Sequence, residues 1–344
     1  MKSLILPPLS ALYSAVTRTR LSLYQRGTFR TTKLDRPVIS VGNMTVGGTG
    51  KTPLVELVSK IIGATGKKVC ILTRGYGRQH PERQVIVSDG QAILATPAEA
   101  GDEPYLLATN LLGLAAVICS ADRVSAGRDA IEVFGTECFV LDDGFQHLRL
   151  ARDLNIVTVD ATNPWGSGQL LQHSGGGQLL PHGRLREPLS GLSRADCLVL
   201  TRCDQVNDLE PLRKQIQSLI GFHPLFPSTM KPRRSAHPDG PVAAFCAVGN
   251  PQSFFAQLKD VGYAVVAEKA FRDHHIYTQK DIDDLTAAAT RAGAKALITT
   301  AKDAVKLRSL HFSLPYSVFE IEIAIEDEEL FKNLILKAAE VAWA

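Results

Sequence analysis

The sequence predicts an α/β protein of the P-loop NTPase type: a doubly wound sheet followed by a second, smaller α/β domain. Three observations carry that prediction. A β-branched strand at 38–41 runs into the glycine-rich stretch 42–52 and then into a helical pattern from Pro53. Short apolar runs alternate with amphipathic segments as far as residue 220. After a proline-rich stretch the same rhythm restarts on a smaller scale.

Taken in order, the apolar, β-branched runs at 69–73, 85–87, 115–119, 138–141, 155–160 and 197–201 read as strands. Helical periodicity marks 53–62, 122–134 and 209–220. The polar, proline-rich segment 224–241, with Lys231-Pro232-Arg233-Arg234, reads as a linker and divides domain 1–228 from domain 229–344. Beyond it strands are expected at 242–246, 264–267 and 296–300, and helices at 251–261 and 279–292. A final helix over 327–343 has Asp327 as its N-cap and suits packing on either domain. Gly168-Gln169-Leu170-Leu171 recurs as Gly177-Gln178-Leu179-Leu180, which reads as a local loop insertion.

The glycine-rich stretch Thr45-Val46-Gly47-Gly48-Thr49-Gly50-Lys51-Thr52 has the composition of a phosphate-binding loop. Glycines let backbone N–H groups turn inward around phosphate oxygens, the following helix presents its positive end, and Lys51 adds a mobile cation. Thr52 then offers its hydroxyl to Mg²⁺, so ATP or another nucleoside triphosphate with Mg²⁺ is the expected ligand. Thr45 stands where the usual pattern opens with glycine. A merely flexible connection would explain neither Gly50-Lys51-Thr52 nor the flanking strand and helix.

Four further groups carry chemistry. The apolar run at 138–141 ends in Asp142-Asp143, the place where such folds set the carboxylate that orients Mg²⁺; a turn with N-capping acids is the plainer alternative. Asp102 and Glu103 open a helix, where acids also serve simply to complement the helix dipole. Thr73-Arg74-Gly75-Tyr76-Gly77-Arg78 follows a strand directly and suits an anionic substrate, or an ordinary turn. Phe271-Arg272-Asp273-His274-His275 has no companion Cys or His at ligand spacing, which argues against structural zinc.

Composition narrows the class. The 344 residues carry a net charge of +3 and are 45% hydrophobic, an ordinary enzyme balance with no dense basic run beside aromatics, so nucleic acid is not an expected partner. Six cysteines without Cys-x-x-Cys spacing read as free thiols of a reducing compartment. The first 34 residues hold six cations (Lys2, Arg18, Arg20, Arg26, Arg30, Lys33) and no acid, with Ile5, Leu9, Leu12 and Val16 at helical spacing. The uncharged run 3–17 is shorter than the roughly 20 residues a bilayer span needs, and Pro7-Pro8 interrupts any signal-peptide core. A basic amphipathic helix lying on an anionic membrane surface fits, as does a helix packed on the protein's own core.

Together these segments resemble the tetraacyldisaccharide 4'-kinase family, which phosphorylates an acylated glucosamine disaccharide phosphate in lipid A biosynthesis. The resemblance spans nearly the whole chain. It is carried by Val41–Pro53 with threonine at the loop's first position, Thr73-Arg74-Gly75-Tyr76-Gly77, Gly101-Asp102-Glu103-Pro104 and Leu141-Asp142-Asp143-Gly144-Phe145-Gln146-His147. Leu185-Arg186-Glu187-Pro188, Gly249-Asn250-Pro251, Phe271-Arg272-Asp273-His274-His275 and Thr299-Thr300-Ala301-Lys302-Asp303-Ala304 extend it. Departures are a longer Gly-rich segment near Gly175, Arg184 in place of proline and Ala301 in place of glutamate. The resemblance implies an ATP-dependent kinase on the cytoplasmic face of the bacterial inner membrane, peripherally attached to its anionic surface. Asp102 would be the general base with His274 in support, and Lys51 the catalytic cation. Thr52, Asp142, Asp143 and Glu103 would form the metal environment. Arg74, Tyr76 and Glu187 would meet the disaccharide phosphate, and the two domains would close over ATP. A P-loop switch or a soluble small-molecule kinase on the same fold remains the alternative class.

Overall fold

The computed structural model describes residues 2–166, 177–233, 238–273 and 275–340. The first repeat copy with Gly175, the end of the Lys231–Arg234 motif, His274 and the last residues of the expected terminal helix lie outside them.

Helix α1 (Lys2–Gln25) comes first, followed by β1 (Val38–Asn43), α2 (Lys51–Gly63), β2 (Val69–Thr73), β3 (Val85–Ser88), α3 (Pro97–Ala100), α4 (Asp102–Asn110) and β4 (Ala115–Cys119). Next are α5 (Arg123–Phe134), β5 (Cys138–Asp142), β6 (Leu154–Asp160), β7 (Cys197–Thr201), α6 (Glu210–Ile220) and β8 (Leu225–Pro232). Among the described residues, the strands up to here join one later strand in a nine-stranded sheet.

The smaller unit runs through β9 (Val242–Cys246), α7 (Pro251–Asp260), β10 (Val265–Ala270), α8 (Gln279–Arg291), β11 (Ala296–Thr300), α9 (Ala301–Ala304) and β12 (Tyr316–Phe319). Its four strands, in the order β10-β9-β11-β12, are all parallel. The chain then returns to the large sheet through β13 (Ile321–Ile325) and α10 (Glu328–Ala339).

The large sheet has the order β13-β8-β7-β6-β1-β5-β2-β4-β3. Its interior is parallel, and β3 and β13 close the edges antiparallel. Fully buried runs such as Cys138–Asp142 and Val38–Asn43 are what a parallel sheet covered on both faces requires. Helix α2 buries Leu54, Val55, Val58 and Ile62 against this sheet, each worth about 1.5–3 kcal/mol by area removed from water.

The stretch 224–241 expected as a linker is not one throughout, because 225–232 is β8. Phe226 and Met230 point into the core, and the strand pairs with β7 on one side and β13 on the other. The boundary placed at residue 228 therefore falls inside a strand, and β13 and α10 sit with the first sheet, not the second. The terminal helix packs on α2 through Phe331, Ile335, Ala338 and Ala339. All six cysteines are buried and free.

Candidate active site

The turn from β1 to α2 is held open by its own polar groups. Asn43 donates to the Thr45 carbonyl at 2.7 Å and to the Thr49 hydroxyl at 2.9 Å, and that hydroxyl meets Thr158 at 2.9 Å. Thr45 and Thr49 are thus buried loop builders, and the groups left facing the cleft are the backbone of 46–50 and the side chains of Lys51 and Thr52. Gly50 caps α2 with φ 80°, a left-handed conformation that glycine adopts without penalty. A second layer braces the loop: Arg202 donates to the Gly48 carbonyl at 2.8 Å and is paired with Asp160, and Thr201 donates to the Thr49 carbonyl. Val46 donates to Arg184 and Arg186 to Met44, both at 2.8 Å, which fastens segment 184–186 to the loop.

The two acids at the end of β5 diverge. Asp142 is buried and accepts from the Thr73 hydroxyl at 2.8 Å; burial pushes its pKa up to about 6, with repulsion from Glu103 and Asp143 adding to it. Asp143 has φ 52°, which turns its carboxylate toward Lys51 at 3.7 Å and Arg186 at 2.7 Å. Burial opposes its charge, but Lys51 and Arg186 outweigh burial and hold it below the usual carboxylate range. Among the described residues no three His, Cys, Asp or Glu side chains group closely enough to hold a metal alone. That suits Mg²⁺, which takes one or two carboxylates and completes its shell with water and phosphate oxygens. Asp142, repelled by Glu103 and Asp143 beside a phosphate loop, fits such a cation.

Asp102 and Glu103 open α4 behind Gly101, whose φ of 89° lets the loop after β2 pass at close range. A Cβ at Gly101 would stand 2.8 Å from the Tyr76 carbonyl, and one at Gly75 the same distance from that of Ala100. This contact sets Arg74 and Tyr76, both exposed, beside the acids. One cleft of about 1000 Å³ gathers the loop, Lys51, Thr52, Arg74, Tyr76, Glu103, Asp142, Asp143 and Glu187.

The chain matches the family model of tetraacyldisaccharide-1-P 4'-kinase over residues 2–340. It belongs to that family. The tetraacyldisaccharide 4'-kinase of Geobacter metallireducens is 44% identical over 88% of this chain and 88% of its own length. That of Desulfatibacillum aliphaticivorans is 38% identical over 95% and 90%. Among solved structures, LpxK from Aquifex aeolicus, described as an "apo" form in complex with ATP, superposes with a TM-score of 0.74 at 33% identity, covering 96% of this chain and 97% of that one.

Within this tetraacyldisaccharide 4'-kinase family member, Glu187 departs from the expected substrate contact. It is 1% exposed, and its oxygens accept from Gln146 at 2.9 Å and Arg194 at 2.7 Å, so it orients those two side chains and does not project freely into the cleft. His274 lies outside the described residues. Its neighbour His275 is turned to Asp281 at 3.2 Å and stacks on Phe271 with ring centroids 4.7 Å apart.

Several cleft residues had no assigned role in the sequence reading. Arg123 is buried beside His147, whose pKa burial and the Arg123, Arg152 and Arg20 charges push down to about 3, leaving a neutral imidazole. From the small sheet, Lys302 reaches Glu103 at 3.0 Å and Asp273 at 3.9 Å. Burial disfavours its ammonium, yet Glu103 and Asp273 outweigh that and hold its pKa above the lysine norm. Helix α1 also borders the cleft: Tyr13 donates to the Arg186 carbonyl at 2.8 Å and Arg20 to that of Gln146 at 3.2 Å.

Proposed function

We propose that this chain transfers the γ-phosphoryl group of ATP to the 4'-hydroxyl of a tetraacyldisaccharide 1-phosphate, forming lipid IVA in lipid A biosynthesis. The observation that carries the reading is the meeting, in one cleft, of a phosphate loop, an acid pair and Glu103 of the α4 start, next in sequence to Asp102, with an N-terminal helix beside it. The names of its relatives support the substrate.

The sugar hydroxyl has a pKa far above neutrality, so a carboxylate that takes its proton as the new bond forms raises the rate by a factor of about 10² to 10⁴. Asp102 serves as that base, with His274 in support. The loop backbone and Lys51 hold the β- and γ-phosphate oxygens and offset charge in the transition state. Thr52 with Asp142 or Asp143, and Glu103 nearby, would hold Mg²⁺, which supplies further charge neutralisation on the transferred group. Arg74 and Tyr76 meet the disaccharide phosphate, and Gln146 and Arg194, oriented by Glu187, continue that surface. Closure of the small domain excludes water.

We place the enzyme on the cytoplasmic face of the inner membrane, attached peripherally through α1. Among the described residues no helix is long and apolar enough to cross a membrane. Leu9 and Leu12 of α1 are 46% and 63% exposed, while Tyr13 of the same helix is docked on the protein.

Radiolabelled ATP with a tetraacyldisaccharide 1-phosphate acceptor in detergent tests the reading. Label is expected in the lipid spot on thin-layer chromatography, and Lys51→Ala is expected to abolish it while keeping a wild-type circular dichroism spectrum. Phosphate release without lipid labelling would point instead to an NTPase switch, and label in a water-soluble acceptor to a small-molecule kinase.

A further inference from the structure

Asp102, read as the base, belongs to α4 on the large-sheet side, yet a cation that meets it comes from the small unit. After β11 the chain turns through α9, where Thr300 is the N-cap and donates to Asp303 Oδ2 at 2.8 Å. Asp303 is fully buried, and the same oxygen accepts from the Ala247 amide at 2.9 Å. Its other oxygen lies 3.0 Å from Lys306 Nζ, one turn on. Lys306 also donates to the His275 carbonyl at 3.2 Å, and its ammonium lies 5.4 Å from the Tyr277 ring centroid. An ammonium has three donors. One is given to the His275 carbonyl, the ammonium is paired with Asp303 inside the small unit, and Asp102 Oδ2 lies 3.7 Å away on the other unit.

We propose that Lys306, anchored by Asp303, is a positioning residue for Asp102, aiming its carboxylate from across the boundary between the two units so that phosphoryl transfer requires the small unit to be docked on α4. The proposal rests on the reading of Asp102 as the base. Lys302–Glu103 and the contact of Arg308 with Tyr105 draw the same two elements together, so Lys306 is not needed simply to hold the units in register. With a side chain only 9% exposed and three anchors, Lys306 has little conformational freedom left to lose on orienting its partner.

Steady-state kinetics on the full chain, with ATP and a detergent-dispersed acceptor, test the idea. Lys306→Met is expected to lower kcat by about 10- to 100-fold, the scale at which small misplacements of a reacting group act, with the KM for ATP within about twofold. Lys306→Arg is expected to recover part of the loss. Asp102→Asn combined with Lys306→Met should be no slower than Asp102→Asn alone, because both act through one group. Unchanged kcat in Lys306→Met, fully multiplicative losses, or a rise in the KM for ATP without a fall in kcat would each overturn the proposal. If Lys306→Met does not melt cooperatively, Lys306→Gln carries the same test, and unchanged kcat there overturns it. Wild-type activity in Asp102→Asn would remove the base assignment itself, a result separable from the behaviour of Lys306.

Discussion

Asp142 illustrates a residue whose placement costs stability. Its folded pKa of about 6 lies above the ordinary 3.8, so between those values the folded chain binds more protons than the unfolded one. Stability therefore falls as pH rises from about 4 through 6 and stays lowered above that. In metal-free buffer Asp142→Asn is expected to stabilise the protein above pH 6 by on the order of 2 kcal/mol, seen as a higher Tm, and to have little effect near pH 3, below both pKa values, where the carboxyl is largely neutral in both states. Mg²⁺ should restore more stability to the wild type than to the variant. Calorimetric scans at several pH values, with and without Mg²⁺, check both statements. A Tm difference that persists unaltered near pH 3 would mean that the substitution acts through packing, not charge.

At the scale of elements, α10 bears directly on which sheet the chain's end belongs to. Phe331 is fully buried, its ring 5.1 Å from Phe226 of β8 in an edge-on contact. Phe331→Ala is expected to destabilise the protein by about 3–5 kcal/mol in urea titrations, the usual cost of a large core truncation. A loss below 1 kcal/mol would place α10 outside the large core. Elements whose pattern is local were legible in the sequence: β2, β4, β7, β9 and β11 lie where their apolar runs end. Strand β8 was not, because Pro227 and Pro232 punctuate Leu225–Pro232 and mimic a linker. Proline removes a donor but leaves a carbonyl, and Pro227 uses its own to accept from Glu326. Strand β13 is short and half exposed, so its pattern is weak. The site shows the same division. The phosphate loop and the acids at 102, 103, 142 and 143 lie in contiguous motifs. Arg202 on Gly48 and Lys302 on Glu103 join residues 154 and 199 positions apart, so only the topology reveals them.

The whole molecule places three surfaces around one cleft: the phosphate loop of the large sheet, the α9 turn of the small one, and α1. Because α1 borders the cleft through Tyr13 and Arg20, deleting it would disturb the site as well as any membrane contact. A cleaner test alters only exposed apolar side chains of α1 that do not line the cleft. Leu9 and Leu12 are exposed, and the cations Arg18, Arg26 and Arg30 follow within the same N-terminal segment. Each cation near an anionic surface contributes about 1 kcal/mol, and each inserted leucine contributes further through burial, so attachment should be reversible and weakened by salt. An acyl-chain substrate remains in the bilayer, so surface attachment raises its concentration at the cleft. Leu9→Ser with Leu12→Ser is expected to reduce cosedimentation with vesicles of anionic phospholipid several-fold, and to raise the apparent KM for vesicle-borne acceptor while leaving the KM for ATP unchanged. The defect should shrink when the acceptor is presented in detergent micelles. Equal vesicle binding by the double variant and the wild type, at both low and high salt, would mean that these exposed leucines of α1 do not meet the membrane.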